Sequence, residues 1–157
     1  MTQIFPGRYT TVSDKPLVLF LIGMRINRLA AVRKWWPVAM AMPAMLAELK
    51  VRPDSGYLYG ALWGGRTTLA LQYWRSFDDL LACAHDQAGT HFRAWGRFNK
   101  AVGNSGEVGI WRETYRIEPG RFETFYGNMP RFGLAAAAAH VPATGRLAAA
   151  KDRMSTA

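Results

Sequence analysis

Leu17-Val18-Leu19-Phe20-Leu21-Ile22 is the stretch on which the fold turns. An unbroken apolar run of this length, opened by Pro16 and carried on through Gly23-Met24-Arg25-Ile26, reads as a strand covered on both faces. After it, Asn27 reads as the cap of a helix from Arg28 or Leu29 to about Met42, bent at Pro37. Pro43 then opens a second helical piece that ends near Lys50. Pro53-Asp54-Ser55-Gly56 is a turn. Tyr57 to Trp63 and Arg66 to Trp74 read as paired strands, with Gly64-Gly65 as a two-residue hairpin turn. Ser76 caps a helix carrying Phe77, Leu80, Leu81 and Ala84 at helical spacing. Thr90 caps another, from His91 to near Gly103. Glu107 to Ile117 is a strand, Pro119-Gly120 a turn, and Arg121 to Asn128 a further strand.

The order is β-α-β-β-α-β with an additional strand, a ferredoxin-like α+β arrangement in which helices cover one face of an antiparallel sheet. Residues 1–15 read as an arm, 16–134 as the folded unit and 135–157 as an Ala-rich tail, loosely held or briefly helical. The other sheet face is not polar: Trp111, Glu113, Tyr115 and Ile117 alternate on one side of their strand, and Leu69, Leu71 and Tyr73 on one side of theirs. Pairing two such faces would bury them, so a homodimer is expected.

Composition narrows the function. With 157 residues, half of them apolar, the chain can bury one core. The net charge of +9 is spread over scattered arginines rather than clustered as a nucleic-acid footprint. The segment Thr67 to Tyr73 lacks the basic and glycine-flanked aromatics of an RNA-recognition strand, so no nucleic-acid partner is expected. Cys83 is the one cysteine, which leaves no intramolecular disulfide and no cysteine-based zinc site. Neither Leu17–Met24 nor Trp35–Ala47 is long enough to span a bilayer. A cytoplasmic location is expected, with membrane-surface contact disfavoured. Phosphate-binding loop, dinucleotide fingerprint and serine elbow are all missing from the sequence.

As a helix, the segment from Thr90 to Lys100 places His91, Trp95, Phe98 and Asn99 on one face and Arg93, Arg97 and Lys100 on the other. An imidazole and a carboxamide on an apolar face are the groups a small-molecule pocket uses for proton transfer, ligation or orientation; the plainer reading is a core histidine bonded to a carbonyl. Glu113, alternating with Trp111 and Tyr115, would hold a raised pKa if buried and unpaired; the plainer reading is a salt bridge to Arg25 or Arg75.

Several longer stretches carry a family likeness: Phe20-Leu21-Ile22-Gly23-Met24-Arg25-Ile26-Asn27, Gly64-Gly65-Arg66-Thr67, Gln72-Tyr73-Trp74-Arg75-Ser76-Phe77, His91 to Lys100, and Gly109-Ile110-Trp111-Arg112-Glu113-Thr114-Tyr115. From about Pro16 to Leu134 the sequence resembles the monooxygenase-like family typified by a fumagillin-pathway enzyme, a branch of the dimeric α+β barrel superfamily. The resemblance implies a ligand cavity between sheet and helices. His91, Trp95 and Asn99 would point toward it, lined also by Met24, Trp36, Met42, Gln72, Trp74 and Trp111. It implies a monooxygenase-type oxidoreductase acting on a small hydrophobic organic metabolite. Two chemistries follow. Without metal, His91 is the base and Asn99 or Gln72 orients the substrate oxygen, with Glu113 as the further candidate catalytic group. Alternatively His91 ligates the iron of haem b, and arginines reach the propionates. The alternatives are a haem-dependent dehydratase or lyase, and a binding protein for haem or a hydrophobic small molecule without catalysis. The visible absorption spectrum with added haemin separates the two chemistries: a Soret band that disappears in His91→Ala would make His91 the axial ligand, and no band would leave the metal-free route.

Overall fold

The computed structural model describes residues 2–86, 96, 100 and 103–155. The described elements run β1 (Phe5–Val12), β2 (Leu17–Ile26), α1 (Val32–Lys50), β3 (Tyr57–Trp63), β4 (Leu69–Trp74), α2 (Phe77–His85), β5 (Val108–Ile117), β6 (Tyr126–Met129), α3 (Leu134–Ala137), β7 (Ala139–Pro142) and α4 (Ala150–Ser155). A four-stranded antiparallel sheet has the order β3-β4-β2-β5, and a three-stranded one the order β6-β1-β7.

The apolar run is the reason for the larger sheet. β2 is internal, pairing antiparallel with β4 from Val18↔Trp74 to Ile22↔Ala70 and with β5 from Leu17↔Ile117 to Ile26↔Val108. One of its faces carries Val18, Phe20 and Ile22 against Met45, Leu46 and Leu49 of α1 and Leu80 of α2. Each such buried side chain contributes about 1.5–3 kcal/mol relative to exposure. The other face carries Leu17 and Leu19, which meet Tyr59, Leu71 and Tyr73 together with Phe122 and Leu134. The chain's own residues 122–138 therefore cover part of the face that the sequence reading gave to a second copy.

α1 begins at Val32, later than the Asn27 cap implies. Asn27 turns away, its side-chain amide donating to the Gly106 carbonyl at 2.9 Å. The backbone N–H groups of Asn27 and Arg28 both reach the Glu107 carbonyl, and the Glu107 carboxylate pairs with Arg28 and Lys34. Lys34, with smaller help from Arg28, holds the Glu107 carboxyl below its ordinary range. These contacts tie the start of α1 to β5. The helix then continues through both prolines rather than dividing at Pro43. Each proline withholds a donor from the carbonyl four residues back, and both proline rings are exposed.

Ser76 caps α2 as its position implies, its hydroxyl accepting from the Asp79 N–H at 3.0 Å. The Gly64-Gly65 turn is wider than two residues, because Trp63 pairs with Leu69. Arg66 to Thr68 instead follow β2: the Arg66 carbonyl accepts from Ile26 N–H and the Thr68 N–H donates to the Met24 carbonyl, each at 2.8 Å.

The larger correction concerns the two ends. The segment read as an arm is β1, and the segment read as a tail contributes β7, which pairs with β1 from Tyr9↔Pro142 to Val12↔Ala139. The strand read over 121–128 is confined to Tyr126–Met129; Thr124 before it bonds Thr10 and Thr11 through its side chain and carbonyl. Arg153 on α4 is buried, paired with Glu123 and donating to the carbonyls of Leu147 and Ala148. Pro6-Gly7, read as a turn, is an irregularity in the β1–β6 ladder where the Gly7 N–H donates to the Asn128 side chain at 2.9 Å.

His140 on β7 stacks on Tyr9 at 4.6 Å and meets Phe5 and Tyr126 edge-on. Both its ring nitrogens are buried and lack hydrogen-bond partners. Burial first, and the Arg131 guanidinium second, hold its pKa below the ordinary 6.5. Above pH 6.5 the ring is neutral whether the chain is folded or not. As pH falls below 6.5 the unfolded chain takes a proton that the folded chain refuses, so stability falls. Urea unfolding between pH 7.5 and 5 should show this loss, and His140→Phe should flatten it.

Candidate functional site

Two cavities lie between the helices and the four-stranded sheet. The first, of about 360 Å³, sits under α1 at the end of β2. α1 turns Trp35, Val38, Ala39, Met42 and Met45 toward it at spacings of three and four residues. Met24, Leu62, Gly64, Gly65 and Thr68 close the other side. The second, of about 670 Å³, lies between α2 and β5, with Phe20, Gln72 and Trp74 on the sheet, Leu80 and Cys83 on the helix, and Arg112 and Thr114 on β5. Ile22, Met45 and Ile110 line both, so the two spaces adjoin.

Gln72 is the unusual residue of this region. It is 1 % exposed, and its carbonyl oxygen accepts from the Trp74 indole N–H at 3.0 Å. Its Nε2 amide has no partner. A buried amide donor without a partner costs about 1–3 kcal/mol, so a group that accepts from it at the cavity wall is favoured. Its cross-strand partner is Gly60, whose missing side chain leaves room for the Tyr57 hydroxyl. That hydroxyl is likewise buried without a partner, and burial pushes its pKa up to about 12. It therefore remains a protonated donor at neutral pH. Burial also pushes the Cys83 thiol above its ordinary value, more than Arg52 lowers it, so the residue is a thiol and not a nucleophilic thiolate.

The structure sorts the residues picked from the sequence. Met24 and Met42 line the first cavity, and Gln72 and Trp74 the second. Trp36 does not line either and is 54 % exposed. Its neighbour Trp35 takes the inward position, packed with Val38 and Ala39 against Met24 and Ile26, its indole donating to the Leu29 carbonyl at 3.0 Å. Trp111 lies on the opposite sheet face. It pairs with Gly23 across the β2–β5 ladder, and its indole reaches past Gly23 to the Thr68 carbonyl at 3.3 Å. Glu113 borders the second cavity on the edge strand β5 but is exposed, and its carboxylate accepts from the Tyr115 hydroxyl at 2.6 Å. It is not paired with Arg25 or Arg75: Arg25 donates to Thr67 and Arg75 pairs with Asp79. His91, Trp95 and Asn99 lie outside the described residues.

The sequence reading missed Arg112. It stands on β5 in register with Ile22, lines the second cavity, and has no ion pair among the described residues. The alternation of β5 put Trp111 and Glu113 together and therefore Arg112 with Ile110 on the other side, a signal present in the sequence.

No three His, Cys, Asp or Glu side chains converge among the described residues. For haem, the second cavity offers an apolar floor and Arg112 as a propionate partner. Its one described histidine, His85, is exposed on the last turn of α2, and His140 belongs to the other sheet. The described residues alone do not make up a haem site. No helix among them is long and apolar enough to cross a membrane.

The described order β2-α1-β3-β4-α2-β5, with both helices on one face of an antiparallel sheet, makes this an α+β protein of ferredoxin-like fold. Residues 17–134 match the monooxygenase af470-like family, and the chain belongs to it. Among solved structures it is similar to the aldoxime dehydratase OxdRE in complex with butyraldoxime, at 14% identity and a TM-score of 0.71, covering 87% of this chain and 43% of that one. Another aldoxime dehydratase gives 16% identity and a TM-score of 0.63, with 97% and 45% covered. The chain thus spans less than half the length of either. SnoaB, a cofactor-independent oxygenase from Streptomyces nogalater, crystallised as a mutant, is similar at 11% identity and a TM-score of 0.45, over 63% of this chain and 90% of that one. A comparison with the curated proteins gives no match.

Gly23 carries a prediction. A Cβ there would lie 1.9 Å from the Thr68 carbonyl oxygen and 2.6 Å from the Trp111 indole nitrogen. Gly23→Ala should therefore cost about 1–3 kcal/mol or more, measured as a lower urea midpoint at unchanged m-value.

Proposed function

We propose that this protein is a monooxygenase-type oxidoreductase that takes a small hydrophobic organic metabolite into the adjoining cavities between helices and sheet. The observation that carries the reading is the Gln72 Nε2 donor, buried and unpartnered on the wall of a cavity whose remaining lining is largely apolar but includes Arg112 and Thr114. A site of this kind orients one oxygen of the ligand and holds the rest by apolar contact. Membership of the monooxygenase af470-like family supports oxygen chemistry over other uses of the cavity.

The metal-free route makes a definite demand on that donor. An activated CH₂ beside a carbonyl loses a proton to a base, and charge develops on the carbonyl oxygen. Gln72 Nε2 donates to that oxygen and stabilises the anion. Electron transfer to dioxygen and recombination give a peroxide, which loses water as a second substrate proton leaves. One O₂ thus converts the CH₂ to a carbonyl and yields one water. His91 is the candidate base on the sequence, with Asn99 as a second orienting amide. Glu113, exposed and bonded to Tyr115, is set aside. The apolar surface left on the second sheet face, including Trp63 and Tyr115, is where a homodimer would form.

The test is oxygen uptake by the purified protein with apolar phenols and ketones bearing an activated C–H. Gln72→Leu should lower kcat by about 10²-fold or more, as loss of one oxyanion donor does. Folding should be followed alongside, because the Trp74 indole loses its acceptor. Compounds that bind while neither variant nor parent consumes oxygen would make this a binding protein instead.

A further inference from the structure

We infer that the ligand is an anionic amphiphile, with a carboxylate head at Arg112 and an apolar tail that runs past Ile22 and Met45 into the cavity under α1. The inference rests on the cavity reading above and adds the ligand's charge and length. The two adjoining spaces differ in chemistry. The one under α1 is walled by Trp35, Val38, Met42 and Leu62, and none of the described residues on its lining is charged. The one between α2 and β5 is lined by the buried Gln72 donor and by Arg112, which is exposed on the edge strand. The shared wall of Ile22, Met45 and Ile110 joins an apolar end to a cationic end.

Arg112 suits a carboxylate for two reasons. First, its guanidinium presents parallel N–H donors that a carboxylate meets with both oxygens. Second, none of the described carboxylates neutralises it. Glu113 follows it directly and also borders the cavity, but its side chain belongs to the opposite sheet face, where its carboxylate accepts from Tyr115, and it forms no ion pair with Arg112. Asp79 and Asp86, on or just after α2, are paired with Arg75 and Arg52. A ligand reaching only Arg112 would leave the space under α1 unfilled, and one filling only that space would meet no charged group among the described residues. The spread of surface arginines gives the chain its net charge of +9, which also attracts an anion toward the mouth.

The test is equilibrium binding to the full chain of three probes: dodecanoate, 1-dodecanol and octanoate. Dodecanoate should bind tightest, by about tenfold over dodecanol, the value of one charge-assisted contact. Arg112→Gln should remove that advantage and leave dodecanol unchanged. Arg116→Gln, on the same face of the same strand but outside both cavities, should change neither. Leu62→Trp, which narrows the space under α1, should weaken dodecanoate and spare octanoate; Met42→Trp serves if that variant does not fold. Equal losses from Arg112→Gln and Arg116→Gln would mean attraction to net charge alone and would overturn the inference, as would dodecanol binding as tightly as dodecanoate. Binding that follows the expected pattern without any oxygen uptake would keep this inference and remove the oxygenase reading.

Discussion

Strand β2 is the constraint on which the rest depends. It is hydrogen-bonded on both edges and apolar on both faces, so every layer of the larger unit is defined by its contact with these ten residues. The helix-facing side fixes where α1 and α2 lie. The other side, with Leu17 and Leu19, gives residues 122–138 a surface to cover. At the strand's far end the pattern changes: Gly23 has no side chain, and the Trp111 indole uses that gap to reach Thr68. The same gap brings Arg66 to Thr68 alongside β2, which widens the loop after β3 and leaves the space under α1 open.

Much of this was legible because burial on two faces writes itself as an uninterrupted apolar run, and half-buried strands as alternation. The Ser76 cap was legible for the same local reason. What failed was phase and distance. Asn27 has the chemistry of a cap, yet Glu107, eighty positions away in the chain, draws its backbone elsewhere, and the helix starts later. β1 and β7 were illegible because Pro6-Gly7 and the Ala-rich segment carry turn and helix signals locally; only pairing with each other makes them strands. Of the site residues that the resemblance implies, Met24, Met42, Gln72 and Trp74 lie on the cavity-facing sides of their strands and helix. Arg112 was lost among scattered arginines, since charge in a sequence does not say which side of an edge strand it occupies.

The cavity wall shows how a mostly apolar region can be selective. Gln72 brings its donor to the second cavity, and Tyr57 on the neighbouring strand, outside both cavity linings, keeps another in the room that Gly60 leaves. Neither is paid back within the protein, and a fold that keeps two such groups buried tolerates a local loss of stability. Apolar ligands without an acceptor leave that loss in place; a ligand with a suitably placed oxygen relieves it. Discrimination of this sort needs no movement of the scaffold, because β3 and β4 are held by the ladder.

The pairing of β1 with β7 has a kinetic meaning. The larger sheet is assembled from β2 to β5, joined by one hairpin, β3–β4, and by two connections that contain α1 and α2. The smaller sheet joins the two extremities of the described chain, and its central strand has no partner until β6 and β7 exist. Such contacts carry the highest loop-closure entropy in the molecule. During synthesis β1 emerges ahead of the other described elements and finds its neighbours only after β6 and β7 follow, so it waits as an unpaired strand bearing Phe5 and Tyr9 while β2 to β5 condense.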